Sequence, residues 1–319
     1  MRVLVTGGAG FLGSHLCRAL LGRGHQVLAM DNLLTGRMET LHDLLDHKGF
    51  SFRKWDVSLP YEAEVDIIFN MASAASPPKY QIDPVHTLRT NVLGADHALR
   101  VAQTCGAVMI QASTSEIYGD PDCHPQPESY IGQIDPLSPR ACYNEGKRAA
   151  ETLCFDYHRR HGVRVKIMRL FNTYGPAMDI EDGRVVTNFL AAALRDAPLQ
   201  LHGDGSQTRS FCYVSDTIAG MLALMDSDDT QTGPYNIGNP GEITVRALAE
   251  QIKALTGSDS PVVSGPAATD DPRRRCPDIT RAKAELNWAP SVPLADGLRN
   301  TLDDIRARLA ARAAQGTAG

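Results

Sequence analysis

The chain has 319 residues, and its 32 lysines and arginines against 37 aspartates and glutamates give a formal net charge of −5. Its hydrophobic fraction of 43% and charged fraction of 22% are ordinary for a folded globular protein and exclude a disordered chain. The acidic balance argues against nucleic acid or an anionic membrane as the partner, and the length allows about two domains.

The first half of the chain alternates short apolar or β-branched runs with longer segments of helical periodicity. The runs predict strands at 2–6, 26–30, 50–54, 66–71, 107–112 and 164–169. The periodic segments predict helices at 11–23, 85–105 and 139–161. Because strands that alternate with such helices form βαβ units, we predict an α/β fold with a Rossmann-type, doubly wound parallel sheet.

The pattern changes after about residue 172, where strands shorten and turn residues multiply. Helical periodicity remains at 185–196, 215–226 and 244–256. The Ala- and Arg-rich segment from about 300 is expected to end as a frayed helix. We therefore predict a first domain at 1–172 and a smaller α/β domain at 173–319, with segments near 210–240 returning to the first.

Cysteine usage and the absence of targeting signals indicate a reducing compartment. The seven cysteines are scattered, odd in number and without a C-x-x-C pair, so neither a disulfide framework nor a zinc site is expected. His158 and His161 lie three apart, but no cysteine or carboxylate pattern completes a metal site there. The N-terminal run lacks a basic region, and no segment approaches the ~18 apolar residues of a membrane span. We expect a cytoplasmic protein without a membrane partner.

A glycine-rich turn joins the first predicted strand to the first predicted helix. The spacing G-x-x-G-x-x-G places Gly7, Gly10 and Gly13 where a dinucleotide pyrophosphate needs a tight turn and free helix N–H groups. Asp31 ends the next strand, where a carboxylate binds the adenosine ribose hydroxyls and repels a 2′-phosphate. Residues 32–36 hold no lysine or arginine to receive that phosphate, so the sequence favours NAD over NADP.

A tyrosine and a lysine are spaced to face one side of the predicted helix 139–161. Tyr143 and Lys147 are related as i and i+4, and Ser138 and Pro139 are predicted to supply the N-cap and the first helical proline. A lysine ammonium beside a phenol is expected to lower the tyrosine pKa and make Tyr143 a general base near neutral pH.

Polar residues follow the strand predicted at 107–112. The carboxyl ends of parallel strands face the ligand crevice, so Thr114 is placed to share a hydrogen bond with a substrate hydroxyl that Tyr143 deprotonates. Glu116 follows two residues later. A carboxylate beside a cofactor is expected to be functional, although a surface position remains the alternative.

These motifs together resemble the extended short-chain dehydrogenase/reductases that act on nucleotide sugars, and within them the UDP-glucuronate decarboxylase group, over roughly residues 1–305. The matching segments are 75–80, 113–120 (STSEIYGD), 124–128, 139–163, 170–176 (LFNTYGP), 182–189, 203–216, 236–242 and 270–279 (DDPRRRCPDI). The departures are Ala74 for proline, Asn144 for aspartate, Cys212 for glutamine and a short 55–66 region, and none removes a catalytic residue type.

The resemblance implies that UDP-glucuronate is oxidised at C4, loses its carboxylate as a β-keto acid and is reduced again at C4 to UDP-xylose, with NAD regenerated. Catalytic roles are then expected for Thr114, Ser115, Glu116, Tyr143, Lys147 and Arg275. Cofactor contacts are expected at Gly7, Gly10, Phe11, Leu12, Gly13, Asp31, Asn32, Thr35, Gly36, Asp56, Val57, Ala72, Asn91, Tyr143 and Lys147. Substrate contacts are expected at Lys79, Tyr80, Asn172, Arg184, Val185, Asn188, Gln207, Arg209 and Arg275.

The same family includes enzymes with other activities. A sugar 4,6-dehydratase carries an Asp-Glu pair after the threonine, whereas this chain has Ser115 and Glu116. A UDP-glucuronate 4-epimerase, which also recognises the carboxylate, is the alternative. A catalytically silent NAD-binding sensor is more remote, because such proteins tend to lose the tyrosine or the lysine. The resemblance also implies a homodimer built partly from the Tyr143 helix.

Overall fold

The structure is a computed structural model that describes residues 1–266 and 272–316, with side chains described as far as residue 311. Within these residues the strands are β1 Arg2–Thr6, β2 Gln26–Asp31, β3 Phe50–Lys54, β4 Ile67–Asn70, β5 Val108–Thr114, β6 Arg164–Leu170, β7 Thr173–Tyr174, β8 Leu199–His202, β9 Thr208–Ser210, β10 Cys212–Tyr213, β11 Tyr235–Ile237, β12 Glu242–Thr244 and β13 Val262–Gly265.

The helices are α1 Phe11–Gly22, α2 Pro77–Tyr80, α3 Pro84–Cys105, α4 Ala141–His161, α5 Val185–Leu194, α6 Val214–Asp226, α7 Val245–Thr256, α8 Thr280–Leu286 and α9 Leu294–Gly316. Short 3-10 helices lie at Met38–Leu44 and Ser115–Tyr118. Among these described helices, none has the length and apolarity that a bilayer crossing needs. Residues 267–271 and 317–319 of the predicted second domain lie outside the described residues. The first two residues of the matched segment 270–279 are among them.

The central feature is a parallel sheet with the strand order β11-β6-β5-β4-β1-β2-β3. Neighbouring strands pair in parallel throughout, with Thr6 opposite both Met30 and Asn70. The chain order reverses between β1 and β4, and ligands of open α/β sheets bind beyond the carboxyl ends of the strands at such a point. The predicted Rossmann-type α/β fold is confirmed.

The sheet is covered on both faces because its strands are apolar on both sides. Val3 and Val5 belong to a core that α1 and α6 help to form, while Leu4 between them belongs to the core on the other face, with Leu99 of α3 and Cys154 of α4. Alternate residues of a strand point to opposite faces, so one β-branched run supplies both cores.

The chain after Phe171 builds a second core and also returns to the sheet. The second core includes residues of α5, α7 and α9 together with β8, which pairs with β13. In addition, β9 and β12 pair antiparallel. From the same part of the chain, β11 adds the edge strand beside β6, and α6 packs against α1.

The predicted start of the Tyr143 helix is wrong by about two residues. The N-cap is Arg140 and the helix begins at Ala141, whereas Ser138 and Pro139 form a preceding turn in which Ser138 Oγ accepts a 3.1 Å bond from the Arg140 N–H. A serine-proline pair stabilises such a turn as well as it stabilises a helix start, so composition alone did not separate the two.

Candidate active site

A cavity of about 1180 Å³ lies at the carboxyl edge of the sheet, between the sheet and the second core. Its walls come from the β1–α1 turn, the ends of β2, β4 and β5, the start of α4, and segments after residue 170. The residues that the sequence analysis assigned to several separate motifs therefore surround one space.

The glycine turn is packed too tightly for side chains. Gly7 has φ +71°, a conformation that favours glycine, and a Cβ on Gly13 would lie 2.1 Å from the Gly7 carbonyl oxygen. Helix α1 follows Gly10 without a side-chain cap, so its first N–H groups have no side-chain acceptor at the cavity. This is the arrangement that binds a pyrophosphate.

Asp31, the last residue of β2, lines the next part of the cavity. Its carboxylate accepts bonds from the Ala9 N–H at 3.0 Å and the Leu33 N–H at 2.8 Å. Burial raises the pKa of Asp31, and the two backbone donors act in the opposite direction. A Cβ on Gly36 would lie 2.7 Å from Asp31 Oδ2, so glycine leaves space beside the carboxylate. The nearby Arg37 also lines the cavity and donates to Asp179 at 3.4 Å.

The other cofactor and substrate residues fall into two groups. Those that line the cavity are Gly7, Gly10, Phe11, Leu12, Gly13, Asn32, Thr35, Gly36, Val57, Ala72, Lys79, Asn172, Arg184, Val185, Asn188, Gln207 and Arg209. Asp56, Tyr80 and Asn91 are not among the residues that line the cavity, and their contacts with a ligand stay predictions.

Each of these three residues supports a wall of the cavity from behind. Asp56 accepts bonds from Asn32 at 3.0 Å and pairs with His86 at 2.8 Å, and Asn91 donates to the Thr87 carbonyl at 2.9 Å. The Tyr80 ring stacks on the Tyr143 ring, with centroids 5.2 Å apart and planes within 2° of parallel. These contacts connect all three residues to side chains or backbone of the cavity wall.

Tyr143 and Lys147 lie on the same face of α4, and both side chains are buried at the cavity. Burial raises the pKa of Tyr143 to about 12, while a hydrogen bond from Thr114 acts to lower it. Burial also lowers the pKa of Lys147 to about 8. The Lys147 ammonium donates to the Ala112 carbonyl at 2.9 Å and lies 5.8 Å from the centre of the Tyr143 ring.

The predicted lowering of the Tyr143 pKa is therefore wrong for the protein without ligands. Desolvation and the negative charge of Glu116 oppose the phenolate more strongly than the Thr114 hydrogen bond and the Arg184 and Arg275 charges favour it. A base at this position needs a further positive charge close to the phenol.

Glu116 and two arginines form a buried ion cluster next to the tyrosine. Arg275 Nη1 donates to Glu116 Oε1 at 2.7 Å, and Arg140 Nη2 donates to Oε1 at 2.9 Å and to Oε2 at 2.7 Å. Burial alone would raise the pKa of Glu116, but the Arg275 and Arg140 guanidinium groups outweigh it and hold the pKa below its usual range. The Glu116 side chain is only 15% exposed and faces the cavity, so the surface alternative is excluded.

Arg275 has spare donors in this cluster. Its Nε and Nη2 atoms are buried and have no hydrogen-bond partner among the described residues, while its side chain is 6% exposed. Buried guanidinium groups are normally satisfied, and a carboxylate is the acceptor whose geometry matches them. The cluster can therefore receive an anion beside Tyr143.

Arg140 is a member of this site that the sequence did not predict. Its guanidinium lines the cavity, and its side chain is 10% exposed. The only signal was its place in the matched segment 139–163, directly before the catalytic helix. Ser113, whose buried hydroxyl has no partner among the described residues, was missed in the same way at the end of β5.

The fold and the cavity define a dinucleotide-dependent enzyme of the short-chain dehydrogenase type, with a tyrosine, a lysine and a hydroxyl residue at the reacting end. The model of the NAD dependent epimerase/dehydratase family matches residues 3–238, and the chain belongs to this family. Its cofactor is NAD, and the glycine turn, the uncapped start of α1 and Asp31 fit that dinucleotide.

Among similar proteins, UDP-glucuronic acid decarboxylase 5 of Arabidopsis thaliana is 50% identical over 97% of this chain and 90% of its own length. UDP-glucuronic acid decarboxylase 1 of Danio rerio is 48% identical over 94% of this chain and 72% of its own length. The crystal structure of UDP-glucuronic acid 4-epimerase from Bacillus cereus, in complex with UDP-glucuronic acid and NAD, has a TM-score of 0.86 at 26% identity and covers 97% of this chain and 100% of that one.

Proposed function

We propose that this chain is a UDP-glucuronate decarboxylase that forms UDP-xylose and carbon dioxide. The observation that carries the proposal is the Arg275–Glu116–Arg140 cluster beside Tyr143, with unsatisfied Arg275 donors that suit a sugar carboxylate. About 50% identity to decarboxylases over 97% of the chain supports it, against 26% to the 4-epimerase that binds the same sugar nucleotide.

Proton transfer at the sugar C4 hydroxyl is the task of Tyr143. When bound, NAD would supply the hydride acceptor for the oxidation of C4 and, once reduced, the hydride donor for its re-reduction. Thr114 hydrogen-bonds Tyr143 and orients it toward the hydroxyl, and Lys147 adds its charge from the same helix face. Tyr80 fixes the plane of the Tyr143 ring by stacking. The tyrosine proton is given back when the C4 hydroxyl forms again.

Arg275 is assigned to bind the carboxylate end of the sugar. A C4 ketone is β to the C6 carboxylate, so breaking the C5–C6 bond leaves an enolate delocalised onto the ketone oxygen, and C5 then takes up a proton. Arg275 would hold the leaving carboxylate, while Thr114 and the protonated Tyr143 donate to the ketone oxygen. Glu116 stays ionised between its two arginines and therefore positions Arg275 instead of acting as a proton donor.

The diphosphate of the substrate is assigned to arginines from the second part of the chain. Arg209 is buried, lines the cavity and donates to the Thr208 carbonyl at 2.7 Å. Arg184 lines the cavity at the start of α5 and pairs with Asp182. Arginine suits a diphosphate because its donors form a bidentate fork.

We assign cofactor binding to residues 1–172 and nucleotide-sugar binding mainly to 173–319, with the segments near 210–240 supporting the sheet. We also expect a homodimer, because Val85, Leu88 and Leu93 of α3 and the adjacent Ile82 are 39–77% exposed. Sedimentation at micromolar concentration would test the dimer, with a monomer contradicting it. Cytoplasmic location is part of the proposal and is supported by seven cysteines that are free thiols.

Product analysis by NMR tests the proposal. Purified full-length chain, incubated with UDP-glucuronate and NAD, is expected to form UDP-xylose. Formation of UDP-galacturonate in its place would replace the proposal by the 4-epimerase alternative. Binding of NAD with no sugar product would support the sensor.

A further inference from the structure

We propose that His124, Glu242 and Cys276 bind a divalent cation of the zinc class. The imidazole of His124 and the carboxylate of Glu242 are 3.2 Å apart, between Nε2 and Oε2. The ligand atoms of all three residues, including Cys276 Sγ, lie within 4.8 Å of one another. These side chains are outside the residues that line the active-site cavity, so the inference stands independently of the proposed function.

The three side chains are distant in sequence but are held together by the backbone. Gln126, two residues after His124, is fully buried; its N–H donates to the Cys276 carbonyl at 2.9 Å, and the Cys276 N–H donates to Gln126 Oε1 at 2.8 Å. Ser210 of β9 lies opposite Glu242 of β12, and its hydroxyl donates to the Arg275 carbonyl at 2.9 Å. These bonds hold the backbone segments that carry the three side chains next to one another.

The donor set matches zinc chemistry. A thiolate, an imidazole and a carboxylate are zinc ligands, and three protein ligands leave one tetrahedral position for water. The His124 and Glu242 side chains are 31% and 25% exposed, so an ion can reach them from solvent, whereas Cys276 closes the buried side. Calcium and magnesium prefer oxygen ligands and are not expected to bind.

The site is next to the arginine that holds Glu116. Cys276 directly follows Arg275, and its thiol donates to the Pro240 carbonyl at 3.4 Å. A bond from its sulfur to an ion held by His124 and Glu242 would tie the 275–276 backbone to β12 and to the loop of His124. We therefore expect zinc to raise the melting temperature of the protein as well as to bind.

Metal binding to the full chain without a histidine tag tests this inference. The protein is stripped with a chelator and titrated with Zn²⁺ against a competing dye, and Co²⁺ is then used as a spectroscopic probe for thiolate coordination. Cys276→Ser, His124→Gln and Glu242→Gln remove one ligand each. Cys123→Ser and His158→Gln are the matched controls, because they change a cysteine and a histidine outside the cluster. Circular dichroism checks that each variant is folded.

One zinc per chain, a thiolate-to-cobalt absorption band and a higher melting temperature with zinc are expected for the wild type and both controls. Loss of one ligand should weaken zinc binding by roughly 10- to 100-fold or more, and Cys276→Ser should remove the cobalt band. If stripped wild type takes up no zinc, or if the Cys276 and His124 variants bind zinc as tightly as the controls, the inference is overturned. If Cys276→Ser fails to fold, zinc binding to His124→Gln still tests the inference.

Discussion

Arg275 donates a 2.7 Å hydrogen bond to Glu116 across 159 residues of sequence. The segment that contains Arg275 is held by Ser210, which donates to the Arg275 carbonyl, and Glu116 follows the last residue of β5 by two positions. The contact therefore joins the part of the chain assigned to the substrate with the part assigned to the cofactor, at the place where the sugar carboxylate is expected.

Arg275→Ala should weaken recognition of the carboxylate and leave recognition of UDP intact. Charge-assisted hydrogen bonds contribute about 1.5–3 kcal/mol, so kcat/KM for UDP-glucuronate should fall roughly 10- to 100-fold. The dissociation constant for UDP alone, measured by calorimetry, should not change. Arg274→Ala is the matched control, because Arg274 is exposed in the same run of arginines. Equal loss for UDP and UDP-glucuronate would place Arg275 at the diphosphate.

Tyr143→Phe should abolish most turnover without loss of the cofactor. Removing a general acid and base typically costs 10²- to 10⁴-fold in rate, so we expect kcat to fall by roughly that factor. The phenyl ring keeps its stacking on Tyr80, so the NAD dissociation constant and the melting temperature should stay near the wild-type values. Tyr80→Phe, which keeps the stacked ring, should retain most activity. Activity of Tyr143→Phe near the wild-type rate would assign the base to another residue.

The buried Lys147 should make stability depend on pH. Its pKa is lowered by burial from 10.5 to about 8. Between these values the unfolded chain binds a proton that the folded chain has released, so the free energy of unfolding rises with pH across this window and the gain is lost as pH falls toward 8. The shift corresponds to about 3 kcal/mol.

Urea unfolding of NAD-free wild type and Lys147→Met, at several pH values, measures this dependence. The difference in unfolding free energy, wild type minus variant, should rise from about pH 8 to pH 10.5, because methionine removes the titration and leaves other groups in place. A difference that is constant across this range would mean that Lys147 is solvated.

Asp31→Asn should weaken NAD binding and narrow the preference over NADP. The carboxylate is expected to accept both adenosine ribose hydroxyls, so its loss should raise the NAD dissociation constant roughly 10- to 100-fold. Removing the negative charge of Asp31 also removes its repulsion of a 2′-phosphate. The NADP dissociation constant should therefore rise less than the NAD dissociation constant, or fall. Asp46→Asn, on the exposed surface, serves as control. Parallel losses for both dinucleotides would contradict a role for Asp31 in discrimination.

The parts of the site that the sequence predicted are those determined by local structure. The β1 strand, the glycine turn, α1 and Asp31 follow one another in about thirty residues, and Tyr143 and Lys147 need only one helical turn. The family resemblance added Arg275, which no local pattern could place next to Glu116.

The remaining features depend on how distant segments pack. The pKa of Tyr143 is raised because the side chain is buried, and a sequence does not show that burial. Arg140 was not predicted because its guanidinium contacts Glu116 only in the folded chain, where the residues after β5 lie beside the start of α4. The His124, Glu242 and Cys276 cluster lacks metal-ligand spacing in the sequence, since a loop, a short strand and a later segment supply one residue each.

The most direct test uses UDP-glucuronate labelled with ¹³C at C6, incubated with the enzyme in D₂O and followed by NMR. We expect one labelled carbon dioxide for each UDP-xylose, deuterium at C5 from solvent, and protium kept at C4 because the hydride never leaves the site. Labelled UDP-galacturonate without carbon dioxide, or UDP-xylose with deuterium at C4, would contradict this expectation.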